Sequence, residues 1–157
     1  MPNRLLLTLA VVLFVTAHIA VGAEEERTKK PLNARQTAAA FLDAALSGRL
    51  AEAASLGEPG RAYNTEKGCA QFAELKVKQL AIESAYADEA NALVITANVT
   101  GDRGRQGPLV LTLVKKDDAW LIRDVDLEDE ESVEDEVERF LKDHPKAKLL
   151  PAEEKPK

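Results

Sequence analysis

Few side chains in this sequence are equipped for chemistry. Beyond the N-terminal stretch Met1–Ala23 there is one histidine, His144, set between an acidic run and Pro145. A Ser-His-Asp or Cys-His arrangement needs a base oriented in a pocket, and this position reads instead as the exposed end of a helix. The single cysteine, Cys69, falls on an apolar helical stripe and reads as a buried, inert thiol. The carboxylates Asp124, Asp126, Glu128, Asp129, Glu130 and Glu131 suggest calcium. The central glycine and final glutamate of a calcium loop are out of register there, so the run reads as a solvated helix start. No metal and no cofactor is therefore expected. Asn98-Val99-Thr100 matches a glycosylation sequon, but it lies in a strand pattern.

One carboxylate has a sharper reading. Trp120, Ile122 and Asp124 alternate along a strand pattern, so they share a face. If that face lines an apolar concavity, burial raises the pKa of Asp124 toward the range of a general base. Tyr63 and Tyr86 would then be candidate hydrogen-bond donors to a bound carbonyl. In the opposite register Leu121, Val125 and Leu127 form the core stripe, and Asp124 points to water.

The elements that must position these residues are legible from periodicity. Val77–Leu127 reads as four antiparallel strands in sequence order: Val77–Ala87, Ala92–Thr100, Leu109–Lys116 and Ala119–Leu127. Before them, Asn33 and Gln36 form a capping-box pattern, followed by Ala38, Phe41, Leu42 and Ala45 on one helical stripe. Ser47-Gly48 closes that helix, Arg49–Leu56 forms a second short one, and Gly57-Glu58-Pro59-Gly60 is the clearest break in the chain. Thr65 caps a third helix reaching to about Lys76. After the strands, Val133, Val137, Phe140 and Leu141 make one apolar stripe of an acidic helix, Asp129–Asp143, stopped by Pro145.

Composition bounds the partners. The chain has 157 residues, 45% hydrophobic and 31% charged, which fits one globular domain. A net charge of -6 argues against nucleic acid and anionic membranes as partners. Arg4, the apolar run Leu5–Val15 and the small residues Val21-Gly22-Ala23 read as a signal peptide cleaved after Ala23. Residues 5–23 left uncleaved as a membrane anchor are the alternative; after cleavage no stable anchor is expected. Cysteine-poor composition then favours a secreted or periplasmic protein of a bacterial envelope. The expected organisation is a flexible leader over 24–32, one domain over 33–144 and a disordered tail over 145–157.

Two stretches carry a resemblance. Ala39–Ala54 (AAFLDAALSGRLAEAA) resembles the opening helix, small-residue break and short second helix of the nuclear transport factor 2-like superfamily. Lys115–Val125 (KKDDAWLIRDV) is similar to the end of the sheet in exported members of that superfamily of unknown function. The resemblance implies an α+β fold: N-terminal helices packed on a curved antiparallel sheet, a cone-shaped, cystatin-like roll. The acidic C-terminal helix departs from the pattern. It also implies two functional classes. A cone with an open cavity would suit a small apolar ligand and an isomerase- or dehydratase-like proton transfer by Asp124, the device of steroid isomerases in the superfamily. A filled cone would suit a non-enzymatic binding or assembly module, the reading preferred here. Val94, Thr96, Asn98, Val110, Thr112 and Val114 make a sheet face too apolar for water. A homodimer contact, an envelope protein partner and the C-terminal helix folding back are the alternative covers for it.

Overall fold

The computed structural model describes residues 30–74, 80–100, 104 and 106–152, so the expected signal segment lies outside the described residues. From Pro31 onward the chain is an α+β fold, with the N-terminal helices on one face of a curved, open antiparallel sheet and the C-terminal helix on the other. The helices are α1 (Ala34–Leu46), α2 (Leu50–Ser55), α3 (Glu66–Ala73) and α4 (Glu130–Asp143), with a short 3-10 turn at Ala62–Asn64. The strands are β1 (Ile82–Ala87), β2 (Asn91–Thr100), β3 (Gln106–Lys116), β4 (Ala119–Leu127) and β5 (Lys148–Leu149). Their spatial order is β4-β3-β2-β1-β5.

Local chemistry sets most boundaries. Asn33 caps α1 by accepting from the Gln36 N–H at 2.9 Å, while the Gln36 side chain accepts from the Asn33 N–H at 3.1 Å. This reciprocal box satisfies two donors that a helix start leaves orphaned. The Thr65 hydroxyl does the same for α3 through Gly68 N–H, and Asp129 does it for α4 through Ser132 N–H. The β3–β4 reversal is made by Asp117 (φ 49°) and Asp118 (φ 63°), the paired left-handed residues of a two-residue hairpin whose twist matches its strands.

The sheet bends at three irregularities, and each changes which side chains share a face. The pairing slips between Ile82 and Ser84 on β1, between Ile95 and Asn98 on β2, and between Thr112 and Leu113 on β3. An extra residue in one strand increases local twist and re-aims the side chains beyond it. On β2 the extra residue falls at Thr96-Ala97, so Val94 and Val99 face the helices while Leu93 and Ile95 face away.

Two cores result. On the inner face α1, α2 and α3 pack against Ala85, Ala92, Val94, Leu109, Leu111, Leu113, Ile122 and Val125. Phe41 of α1 is 0% exposed at its centre, with Tyr63 edge-on at 5.7 Å and Phe72 at 6.1 Å. On the outer face Leu93, Ile95 and Val110 are buried under Val133, Val137 and Phe140 of α4. The C-terminal helix is thus the cover of the outer face. Its start is fixed where Glu128 crosses β3: a Cβ on Gly107 would lie 1.8 Å from the Glu128 carbonyl oxygen, so only glycine fits beneath it.

The tail departs from expectation. Residues 148–149 pair with Tyr86 and Ala87 of β1, the Leu150 N–H donates to the Ala85 carbonyl at 2.7 Å, and Leu150 packs on the inner core. The exposed edge of β1 is a template that proline and charge in the tail do not prevent from being used. Residues 153–157 lie outside the described residues.

These two cores differ in depth, and the difference is measurable. Phe41→Ala should cost about 3–5 kcal/mol in urea unfolding, the range for truncating a buried aromatic. Phe140→Ala, at a half-buried position on α4, should cost clearly less. Equal losses would contradict the assignment of the inner core as the main one.

Candidate functional site

Among the described residues Glu58 is the one acidic side chain that is buried. It sits in the Gly57–Gly60 segment, which runs along the outer edge of β4. The Ile122 N–H donates to the Leu56 carbonyl at 2.8 Å and the Glu58 N–H donates to the Ile122 carbonyl at 2.8 Å, a short parallel bridge through Gly57. Asn64 Nδ2 donates to the carbonyls of Ala54 and Gly57, both at 3.1 Å, and the Arg61 N–H donates to the Glu58 carbonyl at 3.0 Å. A Cβ on Gly57 would lie 2.2 Å from the Tyr63 carbonyl oxygen, so the approach of these two backbones requires glycine.

Three cations converge on that carboxylate. Arg123 donates from Nε to Oε2 at 2.8 Å and from Nη2 to Oε1 at 3.3 Å, a two-pronged pair. Lys116 Nζ lies 2.7 Å from Oε1 and Arg61 Nε lies 3.7 Å from Oε2. The Glu58 side chain is 7% exposed, while those of Arg123, Lys116 and Arg61 are 39%, 51% and 51% exposed. Hydrogen bonds from Arg123 and then Lys116 outweigh the cost of burial and hold the Glu58 carboxyl down at about 2, from an ordinary 4.5. The same bond raises Arg123 above its ordinary value.

Arg123 reaches Glu58 because of the irregularity in β4. Leu113 pairs with Ile122 and Thr112 pairs with Asp124, so Arg123 is the extra residue, without a partner on β3. That single insertion also decides the fate of Asp124. Trp120 and Ile122 belong to the inner core as their spacing implied, but beyond Arg123 the alternation inverts. Asp124 lies opposite Thr112 on the outer face and is exposed, as in the register that points it to water and not the one that takes it into an apolar concavity.

The other nominated residues are not brought together. The Tyr63 hydroxyl is half-buried on the inner side and donates to the Val125 carbonyl at 3.0 Å; burial, with Asp126 and Asp124 nearby, raises its pKa above the ordinary phenol value. Tyr86 lies on the outer face beside the core under α4. The six residues expected to share one apolar face are divided by the β2–β3 register, in which Val94 pairs with Leu111 and not Val110, and by the β2 irregularity beyond Ile95. Val94 is inner-core, and Thr96 is buried, with its hydroxyl accepting from the Leu109 N–H at 2.9 Å. Val110 is covered by α4 and Val114 is buried. Asn98, exposed, donates from Nδ2 to Glu130 at 2.9 Å, and Thr112 is half-buried. Cys69 is buried, its thiol raised by that burial and 3.4 Å from the Tyr63 carbonyl oxygen.

His144 also differs from expectation. Rather than ending α4 in solvent, it stacks on Phe140 at 4.6 Å and places Nδ1 3.0 Å from Asp88 in the β1–β2 turn. Burial opposes the Asp88 charge, but N–H bonds from Ala90 and Asn91, together with His144, hold Asp88 below the usual carboxylate range. On the outer face Asp126 is raised, by burial first and then by Asp124 and Glu136.

Neither the family models nor the curated proteins contain a match to this chain. Among solved structures it is similar to a protein from Kribbella flavida DSM 17836, described as a "known function protein", at 16% identity and a TM-score of 0.47. The alignment covers 68% of this chain and 95% of that one. A likeness of that strength bears on neither family nor activity.

The Glu58 cluster has a definite pH signature. A folded-state carboxyl held at about 2 against an ordinary 4.5 binds fewer protons than the unfolded one, so its stabilisation is complete above about 4.5 and disappears as pH falls through about 2. Glu58→Gln should therefore lose roughly 1.5–3 kcal/mol at neutral pH, the scale of hydrogen bonds to charged groups. The gap between the wild type and the variant in urea melts should close on acidification. A gap independent of pH would show that the charge of Glu58 does not contribute.

Proposed function

We propose that this chain is an exported, non-enzymatic binding or assembly module with a nuclear transport factor 2-like architecture. The observation that carries the reading is the occupant of the inner face. Phe41, fully buried and flanked by Tyr63 and Phe72, fills the centre where a cavity enzyme would hold its substrate. The candidate acid–base groups support the same reading. Asp124 is solvent-exposed on the opposite face of the sheet, Glu58 is held as a carboxylate by three cations, and the Tyr63 hydroxyl is engaged by a backbone carbonyl. The export element rests on the sequence of Met1–Ala23. No helix of the described residues is long and apolar enough to cross a membrane.

The isomerase-like alternative makes a distinct prediction. Incubated with unsaturated ketones in deuterated buffer, the protein should exchange carbon-bound protons no faster than buffer alone. Asp124→Asn, a surface change, should leave stability within about 0.5 kcal/mol. Exchange that the wild type catalyses and Asp124→Asn abolishes would overturn the module reading in favour of the enzyme. Sedimentation velocity across a concentration series reports the assembly side. Reversible self-association would identify a second copy as the partner, and a monomer throughout would leave a different envelope protein in that role.

A further inference from the structure

The ion pairs of the described residues are not balanced alike. Arg49 is shared by two carboxylates, Asp43 and Glu52, while Lys115 pairs with Asp118 and Arg139 with Glu136. The β4 edge is the exception: Arg61, Lys116 and Arg123 meet one buried carboxylate. Asp124, next along the strand, is a further negative charge felt by Arg123, and positive charge still remains in excess. This excess sits on the surface of a chain whose net charge is -6.

Two of the three cations, Arg123 and Lys116, are also ordered in advance. Glu58 is held by its own N–H on Ile122 and its carbonyl on Arg61, and it fixes Arg123 through two nitrogens. A carboxylate offers about four lone-pair positions; two nitrogens of Arg123 and the Lys116 ammonium take up three of those at Glu58, while Arg61 Nε stands off at 3.7 Å. The donors exceed them: a guanidinium carries five N–H groups and an ammonium three. With 39–51% of each cationic side chain exposed, the unspent donors face solvent around a rigid centre. Ordering of long side chains is a large part of the cost of binding an anion, and here folding has already met much of it.

From this geometry we propose that Arg61, Lys116 and Arg123 form a recognition site for a dianionic oxyanion, a phosphate or a dicarboxylate, with Glu58 as its built-in spacer. The anion binds on the solvent side of the cations and bridges at least two of them. Glu58 keeps the cations together when the site is empty and limits their field, so that a singly charged ion such as chloride is held poorly. The site does not depend on the reading of the protein as a module, since an enzyme could carry it equally well.

Calorimetric titration of the purified protein at low ionic strength tests this with inorganic phosphate, succinate and chloride as probes. Saturable binding of phosphate or of succinate, with chloride giving only dilution heats, is the expected result. Whichever of the two binds more tightly identifies the source of the oxyanion. Arg61→Gln and Lys116→Gln, both at exposed positions, should each weaken binding about tenfold, the scale of one lost charge-assisted bond. Thermal melts confirm that the variants remain folded. Dilution heats with all three probes, or variants that bind as tightly as the wild type, would overturn the proposal.

Discussion

The seal between Gly57-Glu58 and the edge of β4 is the constraint on which the rest of the structure depends. β4 ends the sheet, and an edge strand left open is a template for unwanted pairing. Here a short parallel bridge closes its middle, and the only acidic group buried among the described residues locks the bridge in place. The same segment joins α2 to the 3-10 turn that delivers Tyr63 against Phe41. The position of the helical layer over the sheet is therefore coupled to one backbone contact and one carboxylate. A buried charge of this kind is costly to desolvate and is tolerated because both oxygens are fully engaged. Its partners stay partly in water, so the penalty falls mainly on Glu58.

Arg123 connects this seal to the question of function. An extra residue in a strand has no opposite number on its neighbour, and its side chain is free to leave the pleat. In β4 that freedom is used to reach across the edge to Glu58. The cost is borne by alternation, since everything beyond Arg123 changes face. A strand that begins by feeding Trp120 and Ile122 into the core ends with Val125 and Leu127 there, and Asp124 is left outside. The insertion that builds the cation cluster is the one that removes the candidate base from the interior.

This explains what the sequence could and could not disclose. Most strand and helix positions follow from local rules and agree with periodicity: β4 runs Ala119–Leu127, and Asn33, Thr65 and Asp129 cap the helices they precede. By contrast β1, expected from Val77, begins at Ile82, with Leu80 and Ala81 outside it and 75–79 outside the described residues. Facing follows from counting by two, and it fails wherever a residue is inserted. Val94 and Val99 sit an odd number of positions apart yet share the inner face, because Thr96-Ala97 occupies the space of one residue. No residue type at that position announces the insertion. Glu58 was hidden for a different reason. A glutamate between glycine and proline has the composition of a solvent-exposed turn, and its burial depends on Arg123 and Lys116, both far along the chain. The β5 pairing is likewise a long-range event. A proline-rich, charged tail gives no sign of the open β1 edge that receives it.

The two faces of the sheet are closed by different physics, which bears on what each can do. The inner face is shut by three helices whose alanines allow close approach, so that Phe41 and the leucines of β3 lose all contact with water. Dense packing of that kind resists opening, because any void forfeits dispersion contacts on every side. The outer face is shut by one helix, α4, none of whose residues reaches full burial although Leu93, Ile95 and Val110 beneath it do. Polar links hold its ends: Asn98 to Glu130 at the start, and His144 to Asp88 at the finish. Such links cost little to exchange for water, whereas exposing the three apolar side chains does not. The helix is held by the surface it hides rather than by its own contacts. Adding the helix converts a sheet face that would demand a partner into one that is satisfied within the chain.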